Sequence, residues 1–411
     1  MVYSLLIMDV LGFFKNTLQS GLNTLSGKVG QLLARPKKPA FPLADRLLAD
    51  AFRLEEIPSP TEQEKERASF IAERLTVLNV PYVVDEGGNI LASLHSLNET
   101  EISREPLLVF TRLVSERWNS LESLGKLELQ YAQGAGLADA LGPAALLSVA
   151  EAYAEGRFAP ERDVCLFFSA HHFDDPITDA FRIVTSGTHF RPVAAIGVRG
   201  FMLGSLTSHT LGSYRVLLTV SEEEGQRADA NAVVSTLVDM TRHFQKATES
   251  FGQGLFLYFK RVEAHSSYNL TPVEGELELE LESADGEMLE NALENIKAVA
   301  ETTAYAAVKG SFKLVASIPP GDPELCKELA EKVLQEMKEL KINVVEEATP
   351  DPASFLSSVG IPAVSIGIAS GREGLSVDTV EIASVEKGRL LLERIILHAG
   401  KIVSEQGTMQ N

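Results

Sequence analysis

Apolar positions along the chain alternate between helical and strand spacing, and the switches between them mark its elements. Val10, Leu11, Phe14, Leu18, Leu22, Leu25, Val29 and Leu32 recur at helical intervals and predict an amphipathic helix. The basic, proline-bounded RPKKPAFP (Arg35–Pro42) follows as a linker. Two more helical patterns span residues 43–80 and are split at Pro58 and Pro60, where a helix cannot continue. PYVVDEGGNILASL then reads as two short strands about a turn at Glu86–Gly88. PLLVFTRLV and DVCLFFSA are unbroken apolar runs of strand length, with the helical GPAALLSVAEAYAEG between them. Fully apolar strands separated by helices predict an α/β fold whose parallel or mixed sheet is covered on both faces.

The pattern changes near Gly212. A strand (SYRVLLTVS), a helix (ADANAVVSTLVDMTRHFQKATES), two strands (GLFLYFKRVEA and the strictly alternating GELELELES), a helix and a last strand (GSFKLVASI) follow in turn. That βαββαβ order is ferredoxin-like. After PPGD the α/β pattern resumes with a helix over 324–340, the strands INVVEEA and GIPAVSIGI, and a closing helix over 384–403. The predicted organisation is a helix and linker over 1–42, an α/β domain over 43–211 and 319–405, and an inserted α+β domain over 212–318.

A net charge of −20 argues against a nucleic-acid partner, since phosphate contacts need clustered Lys and Arg. It suits a soluble cytoplasmic protein. The N-terminal stretch has no basic segment ahead of its apolar run, and Asp9 interrupts that run, which disfavours a signal peptide or membrane span. The sparse charge on its helix points to packing on protein rather than contact with a membrane surface. Cys165 and Cys326 lack metal-ligand spacing and read as buried free thiols.

One stretch carries candidate chemistry. FFSAHHFDDP (Phe167–Pro176) sets His171, His172, Asp174 and Asp175 directly after an apolar strand. With Asp139 on a neighbouring βα loop, they are enough N and O donors for a single-metal site, with His172 as the candidate catalytic residue. Against this stands Arg112, a cation at an adjacent strand end, whose pairing with Asp139 would neutralise that carboxylate without a metal.

Six motifs occur in an order that resembles the co-catalytic zinc exopeptidase and aminoacylase family, which includes peptidase T, succinyl-diaminopimelate desuccinylase and glutamate carboxypeptidase. They are IPSPTEQEKERASFIAERL, VVDEGGNILASL, GAGLADALGPAALLSVAEA with Gly134, Gly136, Asp139 and Gly142, NAVVSTLVDM, NLTPVEGELELELES and GIPAVSIG. The resemblance runs from about residue 43 to 403. It implies a zinc-peptidase α/β domain carrying a dimerising lid, hence a homodimer.

It also implies two zinc ions sharing a bridging carboxylate, with a Glu as general base for attack on an amide. Carried over residue by residue, the bridging carboxylate is Asp139. The other positions hold Arg112 for a His ligand, Val114 for an Asp, His172 and Phe173 for a Glu pair, residues near Val198–Arg199 for a carboxylate and Leu375 for the last His. An Arg that the family uses for substrate carboxylate is replaced by Glu282, and no His precedes Asn231 in the lid segment. These departures predict a non-catalytic relative without a metal, acting as a scaffold or as a receptor for a peptide, small amide or anion held by Arg112. The other reading is a zinc-dependent exopeptidase or amidohydrolase, for dipeptides or N-acyl amino acids, rebuilt on Asp139 and His171–Asp175.

Overall fold

The computed structural model describes residues 42–60, 63–96, 105–115, 125–170, 181, 185, 191–208, 210–222, 231–251, 254–266, 271–302, 304–305, 308–374 and 376–406. The N-terminal helix and all but the last residue of its linker lie outside these. So do His171, His172, Phe173, Asp174, Asp175 and Leu375.

Helix α1 (Leu43–Glu55) buries Leu47, Leu48, Ala51 and Leu54, and α2 (Lys65–Leu78) buries Ala68, Ile71 and Leu75. Asn79 ends α2 in the left-handed conformation, with φ 57°. Strands β1 (Tyr82–Val84) and β2 (Ile90–Leu94) form the expected hairpin. Its turn is fixed by the Asp85 carboxylate, which accepts from the Asn89 amide at 2.8 Å.

β3 (Leu107–Arg112), the short β4 (Lys126–Leu127) and β5 (Tyr131–Gly134) lead into α3 (Leu137–Ala154). β6 (Val164–Ser169), β7 (Ala194–Leu203) and β8 (Ser205–Thr207) follow. Helix α3 begins earlier than the apolar pattern predicts and carries Pro143 inside it. The amide that would have bonded the Asp139 carbonyl is therefore missing. It is buried nearly all round, so the helix is held by packing rather than by an amphipathic stripe.

The inserted unit comprises β9 (Gly212–Glu222), α4 (Ala232–Phe251), β10 (Leu255–His265), β11 (Glu274–Ser283), α5 (Gly286–Thr302), the two-residue β12 (Ala304–Tyr305) and β13 (Val308–Ile318). Its antiparallel sheet runs β10-β11-β9-β13-β12, the ferredoxin-like order. Val216, Leu218, Leu277, Leu279 and Leu281 face Leu237, Phe244, Leu289 and Ile296 of the two helices.

The α/β body resumes with α6 (Pro323–Glu339), β14 (Val345–Glu346), α7 (Pro352–Ser358), β15 (Ala363–Gly367), β16 (Gly371–Arg372), β17 (Asp378–Glu381) and α8 (Ile382–Gln406). Asp322 and Asp351 cap α6 and α7, each followed by a proline at the first helical position. The strand expected over INVVEEA shrinks to β14 at a sheet end, where one face gains little burial. A small sheet, β16-β17-β5-β4, has no counterpart in the sequence reading, because its strands are too short to show a period.

The main sheet runs β1-β2-β6-β3-β7-β15-β8-β14, with β6, β3, β7 and β15 parallel. Leu107 and Val109 of β3 join one core layer, while Leu108 and Phe110 join the other. This two-sided burial explains the unbroken apolar runs. Both cysteines are free and buried. Among the described residues no helix is long and apolar enough to cross a membrane.

Candidate functional site

The C-terminal ends of the parallel strands gather the residues that the motifs single out. Arg112 closes β3 and pairs in register with Ser169, the last residue of β6. On the other side Phe110 pairs with Gly197, so Arg112 and Arg199, each two residues further on, come to the same level. Arg112, the last residue of β3, therefore lies beside Arg199 in the middle of β7.

Arg199 sits where the ladder to β15 slips: Ile366 pairs with Val198, but Gly367 pairs with Leu203. Such a bulge re-aims side chains and is common beside functional sites. The Arg199 Nη2 donates to Ser205 Oγ (3.1 Å) and Thr207 Oγ1 (2.8 Å), with the Glu347 carboxylate 3.6 Å away. Arg199 Nε and Glu347 Oε2 are both buried with no hydrogen-bond partner among the described residues.

Asp139 lies in the first turn of α3 and is half-buried. Two glycines, one before Asp139 and one after it, shape this helix start. Gly136 adopts φ 78°, and a Cβ on Gly142 would lie 2.4 Å from Thr111 Oγ1 as α3 presses on β3. Buried Asp378 at the start of β17 caps this turn from afar, accepting from the Ala138 amide at 3.1 Å and the Gly374 amide at 3.3 Å.

The expected ion pair between Arg112 and Asp139 is not among the ion pairs of the described residues. Arg67, in α2, a residue the sequence reading passed over, is a buried cation that interacts electrostatically with Asp139. Arg67 is 1% exposed and donates to two carbonyls, Ile57 and Leu113, each at 3.0 Å. It thereby ties the chain before α2 to the segment after β3, where Ser115 N also bonds Ser59 O at 2.7 Å. Burial pulls its pKa down to about 10, against the opposing pull of Asp139 and Glu55.

Glu55, the last residue of α1, completes this charged floor. One carboxylate oxygen accepts from the Ala135 amide at 2.8 Å, while the other is buried without a hydrogen-bond partner. Burial raises its pKa to about 7, although the Ala135 bond and Arg67 act in the other direction.

Sequence signals for both residues existed. Glu55 follows Leu48 and Ala51 at helical spacing on the buried face of α1, and Arg67 precedes Ile71 and Leu75 in the same way. A charge at a core position of a helix was the clue.

The hairpin motif has a positioning role. The Asn89 side-chain carbonyl accepts from the Ala170 amide at 2.9 Å, which fixes the chain one residue before His171. At the far end, Glu282 pairs across the inserted sheet with Phe256. Its pKa is raised by burial and by the nearby Glu280 carboxylate.

Zinc needs several neutral or anionic donors converging on one point. Among the described residues no three His, Cys, Asp or Glu side chains converge at this sheet edge. Arg112, Arg199 and Arg67 lie there instead, and guanidinium groups neither ligate zinc nor tolerate its charge.

No family model matches the sequence, and no curated protein is similar to it in sequence. Solved structures are similar in fold. A Staphylococcus aureus tripeptidase superposes with a TM-score of 0.66 at 14% identity, over 87% of this chain and 99% of its own. A Bacillus subtilis dinuclear metal-binding peptidase of the M20 family gives 0.60 at 15%, over 87% and 98%. A Burkholderia vietnamiensis amidase of the hydantoinase/carbamoylase family gives 0.65 at 11%, over 87% and 97%. The fold expected from the motifs is the fold these peptidases and amidases have.

Proposed function

We propose that this chain, on the fold of M20 peptidases and related amidases, is a metal-free binding protein that holds a small anion or amide at the C-terminal edge of its main sheet. The observation that carries the reading is the placement of Arg112, the last residue of β3, at one level with Arg199 within the adjacent β7, positions where the resemblance sets metal ligands. A planar guanidinium recognises a carboxylate through two parallel hydrogen bonds. The ligand class that fits is a carboxylate-bearing peptide or N-acyl amino acid, bound through the charge that a zinc enzyme would address with its metal. Buried Arg67 supports the reading, because it offsets Asp139 and Glu55 without an ion.

The test is a thermal-shift screen of the full chain in chelator, against dipeptides and N-acyl amino acids. A ligand present at a hundred times its Kd stabilises by about 2.7 kcal/mol, enough for a clear shift. We expect stabilisation by carboxylate ligands that disappears in Arg112→Ala. A flat screen, or a shift indifferent to Arg112, contradicts the reading.

The same reading makes the protein a homodimer through the inserted unit. β10 ends its sheet and presents Phe256 and Tyr258, 49% and 43% exposed, on one face. The register slip between Phe259 and Arg261 divides the strand, so pairing with a second copy would use its first half. Light scattering is expected to give twice the chain mass, and Phe256→Lys to give the single mass. A monomer at all concentrations overturns this part.

A further inference from the structure

The second half of β10 carries a different chemistry from the first. Beyond the register slip, Glu263 and His265 stand two residues apart on the same face, and Glu276 of β11 lies directly across from Glu263. One donor atom from each of the three comes within 4.8 Å of the others. We propose that Glu263, His265 and Glu276 form a mononuclear site for a borderline divalent cation such as Zn2+, on the sheet of the inserted unit and separate from the cleft.

The donor set suits the ion. One imidazole and two carboxylates are the ligands zinc takes alongside a water, and softer or purely hard ions find a poorer match. The ladder supplies the preorganisation. Side chains at i and i+2 share a face, and a directly opposed cross-strand pair brings its Cβ atoms to about 5 Å. The charge is right as well: Glu274 opposes His265 and Glu278 adjoins Glu276, so carboxylates surround the site.

Without a metal these carboxylates repel one another; Arg215 lies 3.8 Å from Glu278, and Arg261 reaches three of them. Arg261 lies 2.8 Å from Glu276, 3.4 Å from Glu278 and 3.8 Å from Glu263. His265 Nε2 is 3.9 Å from the same Glu276 carboxylate. A metal ion must therefore displace Arg261 from Glu276, while Arg261 keeps Glu278. The metal and the guanidinium compete for one oxygen pair, which predicts an unusual signature: removing a positive residue improves cation binding.

The experiment is a competition titration of the full chain against a chromophoric zinc chelator. One zinc per chain is expected, unaffected by Asp139→Ala. His265→Ala and Glu276→Gln are expected to weaken binding roughly 10- to 100-fold, at least what loss of an outer-shell partner costs a metal site. Arg261→Met is expected to tighten it. His265 and Arg261 are exposed and Glu276 is partly exposed on their strands, and circular dichroism of each variant checks that the fold is intact. Absence of zinc uptake, uptake that survives His265→Ala, or weaker binding in Arg261→Met overturns the assignment. Zinc binding that is lost only in Asp139→Ala overturns it too, and places the metal in the cleft instead.

Discussion

Arg67→Met is expected to destabilise the protein by about 3 kcal/mol or more, because it strands buried partners on both sides. The carbonyls of Ile57 and Leu113 lose their donor, and each unsatisfied buried acceptor costs about 1–3 kcal/mol. Asp139 and Glu55 lose a buried cation that interacts with both. Methionine replaces the volume of the side chain stem, so the loss reports the polar head rather than a cavity. Urea unfolding near neutral pH measures it. Adding Glu55→Gln should recover part of the loss, since the two side chains interact and their effects are not additive. A change below about 1 kcal/mol would mean that water reaches the floor of the site and screens it.

Glu55→Gln on its own should stabilise the protein at pH 8 by about 3 kcal/mol and change little at pH 5. The sign follows from the direction of the shift. Burial raises the Glu55 carboxyl to about 7 in the folded chain, so the folded state binds its proton more tightly than the unfolded state does. The stabilisation this provides is complete below the ordinary carboxyl range, falls as pH rises through it, and is gone above about 7. Glutamine stays neutral throughout and still offers an oxygen to the Ala135 amide. The difference between variant and parent should therefore grow between pH 5 and 7 and then level off. Parallel stability curves for the two proteins would refute the raised carboxyl.

The frame of this fold is legible in its sequence because the frame is made of burial. Leu107 to Phe110 alternate between two core layers, and only a sheet covered on both faces explains four consecutive apolar residues there. The inserted sandwich declares itself through strict alternation in GELELELES, where every second residue meets the helices. The site is less legible. Its floor depends on charges buried by tertiary contact, and a single sequence shows Glu55 and Arg67 only as interruptions in an apolar helical face. Asp378 reaches the start of α3 from 240 positions away, a contact no local pattern encodes. The buried Arg67 escaped the sequence reading for the same reason. Proximity of loops was foreseeable, but which of several arginines would be buried beside the carboxylate was not.

The resemblance supplied a list of positions, and the physical content lies in what now fills them. Arg112 ends β3, Arg199 lies within the neighbouring β7, and Glu282 stands where the resemblance implies an arginine. Each change alone is compatible with a shifted enzyme. Under the proposed function, Arg112 and Arg199 are the two changes that favour an anion at the sheet edge.

The most direct measurement is calorimetric titration of the full chain with dipeptides and N-acyl amino acids, in chelator and again with added zinc, while product formation is followed. The account predicts the same affinity in both conditions, loss of binding in Arg112→Ala and no turnover. Turnover that requires zinc and vanishes in Asp139→Ala would contradict it.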